Sequence, residues 1–165
     1  MSKEIKFVHL RNHTTYSLCN GAIKIDDLVK RAAKFNMPAV AICDNSNLFG
    51  ALEFSDACVN VGVQPIIGCD ILIDFNLENK QERNHLEREQ SLFKLPLIAK
   101  NQQGYLNLMS LVSNSFTNRL DGITPHVKFA DLKDKIEGLI ILSGAIDGVF
   151  AKLLADEQIN KANLI

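Results

Sequence analysis

Five short apolar runs divide this chain, and apolar residues recur at helical spacing between them. The runs are Phe7-Val-His-Leu10, Ala39-Val-Ala-Ile-Cys43, the Pro65 to Ile73 stretch, Phe93 to Ala99, and Gly138-Leu-Ile-Ile-Leu-Ser143. A continuous apolar run of this length reads as a strand buried on both faces. From Ile25 to Asn36 the pattern changes. Ile25, Leu28, Val29, Ala32 and Ala33 fall at i, i+3, i+4, i+7 and i+8, which is one face of a helix. Asp26 and Asp27 stand where the dipole of such a helix favours negative charge, and Pro38 ends it. A second helix is expected from about Asn47 to Val61, with Leu48, Ala51, Leu52 and Cys58 inward and Gly62 as its cap. A third is marked by Tyr105, Leu108, Met109, Val112 and Phe116, with Met109 as core filler. A fourth is expected from about Val149 to Ala155, and Glu157 to Ile165 begins a further one. Strands alternating with helices imply an α/β fold with a parallel sheet, either doubly wound or closed as a barrel. Chemistry then belongs at the C-terminal ends of the strands.

A single stretch breaks the alternation. Residues from about 76 to 91 are polar and charged and read as a solvated insertion, with His85 as a surface residue. Asp121 to Lys128 reads as a loop that holds His126.

Composition excludes several function classes. The 165 residues are 47% hydrophobic and 22% charged, enough apolar material for a core. Lys and Arg total 18 against 19 Asp and Glu, a net charge of −1, so the chain as a whole does not hold nucleic acid by charge. Trp is absent and aromatics are 7%, which argues against a broad base-stacking platform. Cys19, Cys43, Cys58 and Cys69 form no C-x-x-C pair, so no zinc ribbon is indicated. Cys43 and Cys69 end apolar runs, where a small thiol packs well. The first residues lack the apolar core of a secretory signal, and no run is long enough to span a membrane. A cytoplasmic protein with reduced thiols and no membrane partner is expected. No G-x-G-x-x-G or phosphate-loop motif follows a strand. Ser17, His13 and Asp44 could be written as a nucleophilic triad, but no G-x-S-x-G elbow supports it.

The strand ends carry a more specific signal. Phe7-Val-His-Leu-Arg-Asn-His-Thr-Thr-Tyr-Ser-Leu-Cys-Asn-Gly21, Met37-Pro-Ala-Val-Ala-Ile-Cys-Asp-Asn-Ser-Asn-Leu-Phe-Gly50 and Pro65-Ile-Ile-Gly-Cys-Asp70 follow one another in order. Leu97-Ile-Ala-Lys-Asn-Gln-Gln-Gly-Tyr-Leu-Asn-Leu108 and Glu137-Gly-Leu-Ile-Ile-Leu-Ser-Gly144 continue the series. Together they resemble the N-terminal polymerase-and-histidinol-phosphatase (PHP) domain of the bacterial replicative DNA polymerase III alpha subunits. The resemblance covers essentially all of residues 1–165 apart from the charged insertion. It implies a distorted (β/α)7 barrel, here incomplete, with five of the expected strand–helix units. No polymerase palm, fingers or thumb is expected within the chain.

Active members of that family hold divalent zinc or manganese and hydrolyse phosphoesters. The resemblance places their ligand positions on this sequence one by one. The His-x-His of the first motif falls on Arg11-Asn-His13, so its first ligand is replaced. The next ligand falls on Asn20. The Asp-His of the second motif falls on Asp44-Asn45, leaving Asp44 as a carboxylate behind the site. The acid after the third strand is Asp70, and the following histidine falls on Lys94. His13 and Asp70 alone keep ligand chemistry.

Zinc and manganese take imidazole, thiolate or carboxylate donors, and an amide such as Asn20 or Asn45 is a poor substitute. Arg11 and Lys94 would add a repulsion of several kcal/mol, taking ~4 Å and an effective dielectric near 20. They are expected to stand in for the metals and pair with Asp44 and Asp70. An orphaned buried charge would then cost roughly 3–5 kcal/mol. No bound cofactor is expected in this chain, and magnesium belongs to the parent polymerase. The implied partners are the remainder of the alpha subunit, the proofreading exonuclease (epsilon) subunit, and DNA through the parent enzyme. The expected role is structural and docking, with no catalytic residue in this chain. The alternative is a metal-dependent phosphoesterase or 3′–5′ exonuclease.

Overall fold

The structure is a computed structural model that describes residues 7–76, 84–117 and 124–163. The chain divides into two compact units, residues 1–69 and 70–165. Five strands are hydrogen-bonded in the order β1-β2-β3-β5, with β4 on β2 off that path. Strand β2 (Gln64–Asp74) runs through the division between the units.

In the first unit, helix α1 (Ile25–Lys34) forms where the periodicity places it. Ile25, Leu28, Val29 and Ala32 are buried, with acids in the first turn and Arg31 and Lys34 in the last. The helix is closed by Asn36 in a left-handed conformation (φ 52°), and the Met37 N–H donates to Ala32 O at 2.9 Å. Strand β1 (Ala39–Asn45) follows directly, buried from Val40 to Asp44. Helix α2 (Ala51–Val61) ends on Gly62 at φ 74°, as its sequence requires. The α1 face, Val40, Ile42, Phe54, Cys58 and Val63 make one core cluster. Each large side chain so buried is worth about 1.5–3 kcal/mol.

Two expectations for α2 need correction. The helix starts at Ala51, because Asn47 to Gly50 forms a separate polar turn. Leu52 is 75% exposed, and the inward aromatic is Phe54, fully buried. Three residues separate Phe54 from Ala51 and four separate it from Cys58, so these share a face that Leu52 cannot join.

The second unit begins inside β2. Its core comes from the end of β2, from β3 (Leu92–Ala99), and from α4 (Gln102–Thr117) and α6 (Val149–Ala155). Phe75 stacks edge-on to Phe93 at 5.9 Å and tilted on Phe129 at 4.7 Å. The short β4 (Val127–Lys128) runs parallel to β2, pairing Ile73 with Val127, and leads into α5 (Phe129–Lys133). The sequence reading had no element there beyond a loop. His126 does lie just before β4, outside any element.

Strand β5 (Leu139–Ile141) contradicts the all-parallel expectation: it runs antiparallel to β3, with Leu97 opposite Ile141 and Ala99 opposite Leu139. The cause is local. The Lys100 N–H donates to Gly138 O at 2.8 Å and Asn107 Nδ2 donates to Glu137 O at 2.8 Å, so the chain enters β5 at the end of β3. A Cβ on Gly104 would run into Gly138 O, and Gly138 itself takes φ 73°. The same contact turns α4. Its buried face is Gly104, Leu108, Leu111 and Ser115, whereas Met109 and Phe116 are 37% and 46% exposed.

The first apolar run, from Phe7 to Leu10, forms no strand element either. It lies beside β1 through single bonds, with the Ala41 N–H donating to His9 O at 2.9 Å and the Cys43 N–H to Asn12 O at 2.8 Å. The charged insertion contains helix α3 (His85–Gln90). Asn84 and Glu87 cap it reciprocally at 2.9 Å each, and Glu89 accepts two bonds from Thr124. Residues 77–83 and 121–123 lie outside the described residues. After α6 comes α7 (Ile159–Ala162), a single turn. No helix among the described residues is long and apolar enough to cross a membrane.

Candidate functional site

Asp44, at the end of β1, is the centre of the best-formed polar site in the first unit. It is 2% exposed, and a buried carboxylate needs donors for its oxygens. The loop from Asn12 to Gly21 supplies them. The Thr14 N–H donates to Oδ1 and the Thr14 hydroxyl to Oδ2, each at 2.7 Å. The Ser17 hydroxyl also donates to Oδ1. The Cys69 thiol donates to the Asp44 backbone carbonyl at 3.2 Å.

The donors are themselves held. Ser17 Oγ accepts the Asn45 N–H at 3.1 Å, and Thr14 Oγ1 accepts the Tyr16 N–H at 3.1 Å. Ser17 O receives the amides of Asn20 at 2.9 Å and Gly21 at 2.8 Å. Thr14 bridges to Ile23, and any Cβ on Gly21 would collide with Thr14 O. Asn12 Nδ2 ties the start of the loop to Ala41 O at 2.8 Å, and Asn47 Nδ2 ties its middle to Tyr16 O at 3.1 Å. At the rim, the Tyr16 hydroxyl donates to Glu53 at 2.8 Å. That bond, with the charge of Glu53, holds the phenol above its ordinary value.

This arrangement assigns Ser17 a structural role. A serine nucleophile hands its proton to an imidazole, whereas the Ser17 proton goes directly to Asp44. The triad written from Ser17, His13 and Asp44 lacks the order that chemistry needs.

The positions singled out from the sequence are distributed as follows. Arg11 and His13 are half-buried on the loop, and Asn45 is half-buried next to Asp44. Asn20 is exposed on the turn before Gly21. Asp70 is 1% exposed at the start of the second unit, and Lys94 is half-buried on β3 of that unit. Among the described residues, no three His, Cys, Asp or Glu side chains gather as a metal ion would require. Thr14, Asn12 and Asn47 were not singled out from the sequence. Their hydroxyl and amide partners lie about thirty residues away, and only the density of polar residues before Gly21 hinted at them.

Comparison with known proteins places the chain. The DNA polymerase III subunit alpha of Caulobacter vibrioides is 44% identical over 149 residues, which is 90% of this chain and 13% of that protein. Its counterpart in Borreliella burgdorferi is 35% identical over 164 residues, 98% of this chain and 14% of that protein. The chain thus spans about one eighth of the length of these relatives. A crystal structure from Bifidobacterium adolescentis, named for a metal-dependent phosphoesterase, superposes with a TM-score of 0.47 at 19% identity, over 67% of this chain and 33% of that one. The family model of the PHP domain matches residues 9–165, and the chain belongs to that family.

Proposed function

We propose that this chain is the PHP portion of a replicative DNA polymerase alpha subunit, acting as a structural and docking domain. Its parent polypeptide would carry out DNA-directed DNA synthesis with magnesium, using residues outside this chain. The proofreading exonuclease subunit is the partner it would dock.

One observation carries the structural reading. Asp44 stands at a metal-motif position, and its carboxylate is taken up by Thr14 and Ser17. A carboxylate that accepts three protein donors holds a loop in place and has little left for an ion. The residues at the other motif positions do not fit zinc or manganese either. Asn20 and Asn45 are uncharged amides, Arg11 and Lys94 are cations, and His13 and Asp70 remain as donor types. No hydrolytic step is therefore derived for this chain.

Two measurements test this. Elemental analysis of the purified chain should find no stoichiometric zinc or manganese, and a chromogenic phosphodiester should not turn over with added manganese. Tightly held metal together with turnover would establish the phosphoesterase or 3′–5′ exonuclease reading instead. The docking role predicts that the folded chain binds purified exonuclease subunit in calorimetry, and a folded sample that shows no heat of binding refutes it.

A further inference from the structure

A net charge of −1 averages over a groove that is strongly basic. It has a volume of about 600 Å³ and lies along α1, away from Asp44 and its loop donors. Ala22, Ile23 and Phe35 contribute its apolar lining. Its charged lining is Lys24, Lys30, Arg31 and Lys34, with Asp27 as the carboxylate among them. Just outside, Asp26 faces Lys30 at 3.8 Å, with both side chains about 70% exposed, so that pair is loose and well solvated.

Spacing distinguishes the kinds of anion. Lys24, Arg31 and Lys34 fall at i, i+7 and i+10, so the row extends about 15 Å along the helix. One phosphate meets one or two of these cations, whereas a strand that carries a phosphate on every residue meets the whole row. Phe35 lies at the C-terminal end of the row and is 62% exposed, a costly place for a phenyl ring unless something covers it. An unpaired base can stack on such a ring, and a base inside a duplex cannot.

We propose that this groove binds single-stranded DNA, with Lys24, Lys30, Arg31 and Lys34 on successive phosphates and Phe35 under a base. The choice of DNA among polyanions rests on the functional reading above, while the groove's charge and spacing do not. The site owes nothing to metal content, so the metal assay and this proposal can fail separately.

Fluorescence anisotropy of a labelled oligo-dT with the whole chain tests it. Binding is expected at low salt, with a dissociation constant of about 10–100 µM and a log–log salt slope near −3 for four phosphates. All of the residues to be changed are exposed, so the variants keep the fold. The double variant Arg31→Gln/Lys34→Gln should weaken binding and make the slope shallower by about 1.4. Phe35→Ala should weaken the oligonucleotide about tenfold and leave the slope unchanged. Several outcomes overturn the proposal: no binding at low salt, a double variant that binds like the parent, or a duplex preferred over the single strand. Displacement by inorganic phosphate at similar concentration, or binding of polyglutamate without oligo-dT, does so too.

Discussion

At the scale of single residues, Asp44 is where the chain has most to lose. Asp44→Ala would strand the Thr14 amide and two hydroxyls in a buried place, each without its acceptor. A loss of about 3 kcal/mol is expected, read from urea unfolding. Ser17→Ala removes one donor and leaves the Asn45 N–H without its acceptor, so about 1–2 kcal/mol is expected by the same measurement. The cysteines give a chemical test. Burial pushes the Cys58 thiol up to about 11, whereas Cys19 is exposed. At pH 8, iodoacetamide should label Cys19 on the native protein and reach Cys58 only after unfolding. A thiol whose value is raised by folding keeps its proton longer in the native state. Its contribution is therefore intact below about pH 9 and is lost as the pH rises through about 11. Urea unfolding at pH 8 and pH 10.5 should show that fall, and Cys58→Ala should lessen it.

At the scale of elements, the sequence was informative wherever local chemistry decides. The runs at 39–43, 65–73 and 93–99 became strands because proline, glycine or charge bounds an apolar stretch long enough to be buried. Helix α6 occupies Val149–Ala155, as its periodicity indicates. Direction and rotation were not legible, because distant partners set them. Strand β5 reverses on account of bonds from Lys100 and Asn107, some thirty residues before it. Helix α4 buries Gly104 and Ser115 in place of Met109 and Phe116, because Gly104 must meet Gly138 backbone to backbone. The candidate site divides in the same way. Asp44 stood out as an acid at a strand end, but its hydroxyl donors could be found only in three dimensions. Gly104→Ala should force α4 away from the turn at Gly138 and cost at least about 2 kcal/mol, visible as a lowered melting temperature.

For the whole molecule, near-equal numbers of acids and bases matter more than any one pair. The sequence isoelectric point of about 6.4 places minimum solubility near that pH, and polyethylene glycol precipitation across pH 5–8 should locate it there. The sheet has a related safeguard. At one side Ala41 and Cys43 already spend their amides on the segment from His9 to Asn12. At the other side β5 is three residues long, and the glycines at 138 and 144 flank it with left-handed turns. A fibril seed grows by adding strands of about six residues to a long, flat, unpaired rim. Neither margin of this sheet offers such a rim, so sheet-to-sheet growth stops at a stretch too short to serve as a template.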